Sequence, residues 1–491
     1  MIVVAKITLA IDASGTTQTW WFCTGRGWTT SPIDTPANTY IEPRLARTGS
    51  LRRSMWAGGA LFGAQQASWG TLRVLNGDGA LDAWRGYGFD GRTIELWIGE
   101  EEGLPFPAGF TSLGQARMLR ASMTLEAIDI VLRDRLEDLA RPVCQSTFAG
   151  SGGLEGSTAM AGRIKPRAYG DTFLIPAVLV DDTKKIWFVC ENACASTGQA
   201  VFVGGVALTL GSNYASLADL QSTAPAAGQA RFYVGGPTYV RFETAPAYTV
   251  QVSPGQAKTI SGDTPTIANI AAEAGISGAS GSAVTPEIYV DDPRTTYLEV
   301  LTREHQQRPA WFGFSATQAF VSELVADPVG MSPALELSHW DLLSIERVPP
   351  PGADVPIWRV RTRGRRNYAG HSAMDPAGVD YAWLDYYKTE TATDSAVKTK
   401  HPRAGELVLD AGGNYVGGAA EHLDLHGVDR DAYRVSLRMT SGLYAGLAAL
   451  DLNDCVQLTH PRLGLSASRK LLVTEIAIDL GREGVDLLLW G

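Results

Sequence analysis

Long apolar runs are missing from this sequence of 491 residues. No segment approaches the ~18 to 20 uninterrupted apolar residues that a membrane-spanning helix needs. Residues 1–11 hold Lys6 inside their apolar run and have neither a basic leader nor a small-residue cleavage site, so we expect no secretory signal there. The sequence therefore predicts a chain that folds in the cytoplasm, and any export would take place within an assembled particle.

Cysteine is scarce as well. The chain has five, an odd number, at positions Cys23, Cys144, Cys190, Cys194 and Cys455. Such usage favours a reducing compartment over a disulfide framework. Only Cys190 and Cys194 are close in sequence, and their spacing is not that of a C-x-x-C ligand pair. We therefore expect buried free thiols, which pack as small apolar side chains.

Blocks of positive charge are missing, with one exception. The chain has 42 basic and 52 acidic residues, a net charge of −10, and no long block of either sign. General nucleic-acid binding requires clustered Lys and Arg and is not expected. The exception is the run Arg359, Arg361, Arg363, Arg365 and Arg366. Alternate spacing would place the first four on one face of a strand, where they would either line a channel that carries DNA or pair with carboxylates on a solvated or interfacial face.

Signatures of catalysis are also absent from the sequence, which contains no G-x-S-x-G nucleophile elbow. The seven histidines include one i, i+4 pair, His422 and His426, but Leu423 stands where a zinc metalloprotease has its Glu. A zinc site would also need a third ligand. This pattern favours satisfied or exposed imidazoles over a metal centre.

Two pairs of adjacent acids, Asp181-Asp182 and Asp291-Asp292, lie in turn-like sequences. A glycosidase needs two carboxyls about 5 to 9 Å apart across a sugar bond, whereas adjacent acids in a turn are typical of solvated side chains. We assign no catalytic or metal-binding residue, leave binding residues open, and expect the protein not to be an enzyme.

Turn signals and short alternating segments are what the sequence has in abundance. It contains 53 glycines, with hairpin signals at 76–79 and 89–91. The segment 471–480 alternates between apolar and polar residues, which predicts a strand with one wet face, and 485–490 is apolar enough to be covered on both faces. Other predicted strands are 72–75, 94–98, 127–133, 186–189, 200–206, 231–234, 239–242, 248–252, 310–314 and 319–324. The chain is therefore predicted to be mainly β with a small α/β insertion.

Four domains are predicted from shifts in composition. They are a β-barrel-type domain at 1–147, a small β domain at 163–260, an α/β insertion at 261–348 and a second β-barrel-type domain at 353–491. The Gly-rich stretch 148–162 is read as a flexible linker or exposed loop.

Three features lie within these domains. The segment from Trp20 to Trp69 is rich in Gly, Pro, Thr and Arg and is read as a long loop or arm. A short helical turn is predicted at 135–140. The insertion is expected to hold helices at 266–274 and 295–304, and a third at 335–346, where the apolar side is only roughly kept.

Four patches in order along the chain share a resemblance. They read K-P-R-A-Y-G and I-P-A-V-L-V-D at 165–181, F-V-G-G-V-A-L to Y-V-R-F-E-T-A-P at 202–246, P-I-W-R-V-R with R-N-Y at 356–368, and D-C-V-Q-L-T-H-P-R-L-G-L with V-T-E-I-A-I-D-L and L-L-L-W-G at 454–491. Together they cover about a quarter of the chain. The sequence resembles tail-tip or baseplate hub proteins of long-tailed, siphovirus-type bacteriophages.

The resemblance implies a structural virion protein at the tail tip, built from several β-barrel-like hub domains. It implies a homotrimeric ring that joins the tail tube to the tip and surrounds the DNA channel. Its partners would be copies of itself and other tail-tip, distal tail and tape-measure proteins, with DNA only in transit. Some proteins of this kind carry an iron–sulfur cluster, so a cluster on Cys144, Cys190, Cys194 and one further cysteine is an alternative to the expected absence of a cofactor.

Two further expectations concern surfaces. We expect the channel side, near Asp129 and Asp479, to be neutral or negative, because a strongly positive bore would hold DNA back, and the arginine strand to face a neighbouring subunit. An alternative function is a carbohydrate-binding or carbohydrate-active β protein that stacks sugars on Trp20, Trp21 or Trp69. Core or interface positions are the commoner use of tryptophan.

Overall fold

The computed structural model describes residues 1–47, 50–56, 61–281, 283–317, 319–349, 356–370, 374–426, 430–440 and 442–491. Strands account for 41% of the chain and helices for 14%, which confirms the mainly β prediction.

The first 147 residues form one large sheet and several short strands. The strands are β1 (Ile2–Ala10), β2 (Thr17–Cys23), β3 (Trp28–Thr29), β4 (Tyr40–Ile41), β5 (Leu45–Arg47), β6 (Ser50–Ser54), β7 (Gly63–Ala64), β8 (Gln66–Ser68), β9 (Thr71–Leu75), β10 (Thr93–Gly99), β11 (Thr111–Met123) and β12 (Ala127–Arg133). Seven of them pair in the order β2-β1-β10-β11-β12-β9-β5. The predicted helical turn is a 3-10 helix at Arg135–Leu139.

This seven-stranded sheet curls back on itself through residues 42–45. The Glu42 N–H donates to the Trp21 carbonyl at 3.0 Å and the Glu42 carbonyl accepts from the Cys23 N–H at 2.8 Å, which ties the segment to β2. Two residues on, the Arg44 carbonyl accepts from the Leu75 N–H at 2.7 Å, at the end of β9. One short segment therefore bonds to β2 at one end of the strand order and to β9, the next-to-last strand, at the other.

The middle of the chain holds smaller sheets. Its strands are β13 (Arg167–Asp171), β14 (Ile175–Pro176), β15 (Val178–Asp181), β16 (Ile186–Cys190), β17 (Gln199–Val203), β18 (Val206–Ala207), β19 (Thr209–Leu210), β20 (Gln229–Tyr233), β21 (Thr238–Phe242), β22 (Val250–Pro254) and β23 (Gln256–Ala257), with helix α1 at Leu217–Ser222. They form a five-stranded sheet, β15-β16-β21-β20-β19, and a four-stranded sheet, β14-β22-β17-β18. Before them, the Gly-rich stretch 148–162 is a loop closed by Phe148, whose N–H donates to Arg163 O and whose carbonyl accepts from Gly162 N.

The predicted α/β region has two of its three expected helices. Its elements are α2 (Ile267–Glu273), β24 (Ile288–Val290), α3 (Tyr297–Glu304), β25 (Ala310–Phe314) and β26 (Phe320–Leu324). The third helix, predicted at 335–346, is wrong, because this segment forms β27 (Leu335–Ser338) and β28 (Leu342–Val348). Both strands pair with residues about a hundred positions further along the chain, and this long-range pairing overrides the weak local period.

The last part of the chain begins with an α/β layer that the sequence did not indicate. Its elements are β29 (Ile357–Arg366), β30 (Tyr386–Thr393), α4 (Ser395–Lys400), β31 (Gly405–Asp410) and α5 (Gly418–Leu425), with β29 central between β30 and β31. The remaining elements are β32 (Ala432–Arg438), α6 (Tyr444–Ala449), β33 (Cys455–Thr459), β34 (Arg469–Asp479) and β35 (Gly484–Trp490).

A second curled sheet has the order β27-β33-β34-β35-β32-β28. Its two end strands are consecutive in the chain and are separated by residues 339–341 alone, so the sheet must bend round until its ends meet at that turn. Strand β6, from the segment read as an arm, pairs with β34 in this sheet. Residues from both curled sheets, such as Ile7, Ile94, Leu472 and Leu487, share one hydrophobic core.

Candidate assembly surfaces

The outer face of the sheet β30-β29-β31 carries the arginine row. Arg359, Arg361 and Arg363 alternate with Val360 and Thr362, and these two are buried against the α5 side. Arg365 leaves the alternation because its backbone has a φ of 52°, in the left-handed region. The predicted shared face therefore holds for three of the four arginines.

Carboxylates neutralise most of this row. Arg359 pairs with Glu406 at 2.9 Å, Arg363 with Asp410 at 2.6 Å, and Arg365 with Asp171 at 2.9 Å. The first two acids lie on β31, directly opposite their arginines in the parallel register. Of the two interpretations drawn from the sequence, the carboxylate-paired face fits these contacts.

A corner patch lies where the second curled sheet closes, and it consists of three rings and one aliphatic side chain: His339, Trp340, His460 and Leu343. Trp340 is 84% exposed and Leu343 is 68% exposed. The His339 ring lies 4.2 Å from the Trp340 ring and 6.2 Å from the His460 ring, measured between centroids. Exposed apolar groups that cluster in this way mark interaction surfaces more often than single ones do.

Single apolar side chains are exposed at two loop tips. Ile33 is 90% exposed in the loop between β3 and β4, and Leu125 is 93% exposed in the turn between β11 and β12. Of the tryptophans singled out from the sequence, Trp69 is 5% exposed. Trp20 and Trp21 are half-buried, with their rings 5.1 Å from Trp84 and 5.7 Å from Trp97. These three serve core packing.

A cleft of about 1530 Å³ separates the α/β layer from the second curled sheet. One wall carries Asp394, Lys400 and Asp424, and the other carries Arg469 and Lys470. The first wall therefore carries charges of both signs, and the second carries positive charge.

The five cysteines are buried and free. Cys190 and Cys194 lie with their Sγ atoms 3.7 Å apart, and the Thr238 hydroxyl donates to Cys194 Sγ at 3.4 Å. Cys144 packs in a different hydrophobic cluster, where its thiol donates to the Val290 carbonyl at 3.3 Å. Among the described residues, no group of three or more His, Cys, Asp or Glu has a metal-binding arrangement.

Of the histidine pair, His422 lies in the middle of α5 and His426 is its C-cap. His422 is fully buried, and its Nε2 atom lies 3.2 Å from the Gln306 carbonyl. Burial lowers the pKa of both imidazoles to about 4, so both are neutral near pH 7. His422 therefore bridges α5 to residue 306.

The acid pairs do not converge on one site. Asp181 accepts from the Lys184 N–H at 2.9 Å within a turn. Asp292 pairs with Arg294 at 3.1 Å, and burial raises the pKa of Asp291.

None of the helices in the described ranges is long and apolar enough to cross a membrane.

No protein-family model and no curated protein matches the chain. The chain is similar to the 43 kDa tail protein of prophage MuSo2 from Shewanella oneidensis, at 11% identity and a TM-score of 0.43, over 100% of this chain and 98% of the other. A tail protein from Neisseria meningitidis MC58 gives 8% identity and a TM-score of 0.42, over 99% and 96%. Prophage tail protein gp18 from Listeria monocytogenes EGD-e gives 9% identity and a TM-score of 0.36, over 100% and 94%. These structural neighbours are phage tail proteins, the class that the sequence patches resemble.

Proposed function

We propose that the chain is a structural protein of a phage virion and forms the hub at the tail tip or baseplate. Copies assemble into a ring, a trimer in the simplest form, that joins the tail tube to the tip and surrounds the DNA channel. Neighbouring tail-tip, distal tail and tape-measure proteins are its partners. The role is mechanical rather than enzymatic.

The observation that carries the proposal is the pair of curled sheets with one shared core. A chain with two such sheets contributes two curled sheets to a ring, so a trimer presents six of them around the bore. The two sheets cannot rotate freely, because β6 leaves the first region and pairs with β34 in the second sheet. A subunit whose two sheets are fixed relative to each other suits a ring that must keep its channel open.

The contacts of the catalytic candidates support a mechanical role. His422 holds a backbone carbonyl, Asp181 closes a turn and Asp292 pairs with a neighbouring arginine. Each group is therefore engaged in local structure.

The channel side is proposed to be neutral or negative. Asp129, on β12, forms a two-bond ion pair with Arg73 on β9, and Asp479 accepts from the Gly481 and Arg482 N–H groups. Paired and capped acids of this kind offer DNA no unpaired cation. The arginine row is proposed to face a neighbouring subunit.

Light scattering on the purified chain tests the proposal. At micromolar concentration we expect a discrete ring, three times the mass of one chain, or protein that stays poorly soluble until its partners are added. Electron microscopy of assembled particles should place the ring at the tail tip. A clean monomer at every concentration, with no such ring in particles, contradicts the proposal.

A further inference from the structure

Two arginines lie over one tyrosine ring at the junction of α3 and β29. The guanidinium carbon of Arg366 is 5.3 Å from the centroid of the Tyr368 ring, and that of Arg303 is 6.0 Å from it. Cation–π attraction toward one ring holds two like charges at one place. This juxtaposition is unusual because neither arginine has a carboxylate within ion-pair distance in the described part of the chain.

The two arginines border two adjoining clefts. A cleft of about 740 Å³ is lined by Asp291, Asp292, Arg294, Glu299 and Tyr368 together with both arginines. A second, of about 560 Å³, shares Glu299 and both arginines and continues past Leu298 to Val408 and Asp410 on β31. Together they form a groove, with the two arginines in the middle and an apolar end at Leu298 and Val408.

Most other charges of the groove are already used. Asp292 pairs with Arg294 at 3.1 Å, and Asp410 pairs with Arg363 at 2.6 Å. Glu299 belongs to the capping box of α3, where its side chain accepts from the Thr296 N–H at 2.8 Å. Two guanidinium groups therefore face a single remaining carboxylate, that of Asp291.

We propose that this groove binds an extended segment of a partner polypeptide that presents one carboxylate to Arg303 and Arg366 and an apolar side chain to Leu298 and Val408. The inference rests on the proposed function for the kind of partner, another protein of the tail. Arginine suits this task because its planar fork matches a carboxylate.

The charge around the groove selects a single carboxylate over a polyanion. Asp291 lines the cleft beside the two arginines, and its carboxylate would repel the successive phosphates of a nucleic acid strand. The chain as a whole has a net charge of −10, which also disfavours a polyanion. One isolated acid, followed by an apolar residue, places a single negative charge beside the two cations and an apolar side chain at the apolar end.

Titration of the full chain with three probes tests the inference. The probes are a blocked peptide Gly-Glu-Gly-Leu-Gly, its Gln counterpart Gly-Gln-Gly-Leu-Gly, and a single-stranded ten-thymidine oligonucleotide, each followed by calorimetry up to millimolar concentration. We expect the Glu peptide to bind at least tenfold more tightly than the Gln peptide, and the oligonucleotide not to compete with it.

Variants locate the binding to the two arginines. Arg303→Gln and Arg366→Gln should each weaken the Glu peptide about threefold or more, and the double variant about tenfold or more. Arg294→Gln is the matched control, because its side chain borders the same cleft, is 88% exposed and pairs with Asp292; it should change binding less than about twofold. Thermal unfolding of each variant checks that the chain remains folded.

Equal binding of the Glu and Gln peptides, no binding of either, or binding of the Glu peptide that the double variant leaves unchanged overturns the inference. Competition by the oligonucleotide that is lost in the double variant also overturns it and assigns the site to phosphate. The proposed function fails separately, through a chain that stays monomeric and is absent from particles. A ring-forming protein without peptide discrimination overturns only the inference.

Discussion

The backbone N–H of Glu287 donates to the Oε2 atom of Glu304 at 2.8 Å, at a place where the two carboxyl groups lie near each other. Glu304 is fully buried, and its Oε2 atom also accepts from Gln307 Nε2 at 2.8 Å. Burial raises the pKa of Glu304 to about 7, and burial followed by the charge of Glu304 raises the pKa of Glu287 to about 8. Where α3 meets the loop after β31, the fold thus holds two carboxyls that are both protonated below about pH 7.

This pair predicts a loss of stability with rising pH. Because the folded-state pKa values lie above the ordinary Glu value of 4.5, the folded state binds more protons than the unfolded state, and the free energy of unfolding falls as pH rises from about 4.5 to 8. Glu304→Gln should remove about 2 to 3 kcal/mol of the loss between pH 5.5 and 8.5. Urea denaturation at both pH values measures it, with the exposed Glu101→Gln as control. An unchanged pH dependence in Glu304→Gln contradicts the prediction.

A second prediction concerns the buried arginine of β6. Arg53 pairs with Asp451 at 2.8 Å and donates to the Phe314 carbonyl at 2.6 Å, so it joins three distant parts of the chain. Arg53→Met removes the guanidinium from both partners and should lower the free energy of unfolding by about 3 kcal/mol. The adjacent Arg52→Met is the control: its side chain is 59% exposed and pairs with Glu475, so the loss should stay under about 1 kcal/mol. Similar losses in both variants would contradict this reasoning.

The sequence predicted those strands whose own pattern was sufficient. Strand β34 alternates between buried and half-buried positions over 474–479, and the helices near 267–273 and 297–304 have clear start and stop signals, so local rules located them. Strands β27 and β28 were missed because their apolar period is ambiguous and their partners, β33 and β32, come much later. Strand β6 was missed because its surroundings have a loop-like composition.

The candidate surfaces show the same division. The arginine row was visible in the sequence, but its partners Glu406, Asp410 and Asp171 lie 47 to 194 positions away. Arg303 gave no signal at all, because only the fold brings α3 beside Tyr368. Trp340 would have been assigned to an exposed corner if 335–348 had been recognised as two strands.

A third prediction concerns the thiols. All five cysteines are buried, so a thiol reagent should label none of them in the folded chain and five after denaturation. Protein prepared without oxygen should be colourless and free of iron. A brown preparation with about four irons per chain, whose colour is lost in Cys190→Ser, would establish the iron–sulfur alternative instead.

A fourth prediction concerns the corner patch. Trp340 and Leu343 are 84% and 68% exposed, so replacing both with Ser should leave the stability of the isolated chain unchanged. If the patch lies between copies, the double variant loses about 2 to 4 kcal/mol of apolar burial in the ring, and the ring should dissociate at a concentration at least thirtyfold higher. Analytical ultracentrifugation over a dilution series measures this shift.

Leu125→Ser is the control, because Leu125 is 93% exposed but isolated at a turn. A double variant that dissociates like the unmodified protein would exclude the corner patch from the ring interface, and a large effect of Leu125→Ser would move that interface to the turn between β11 and β12.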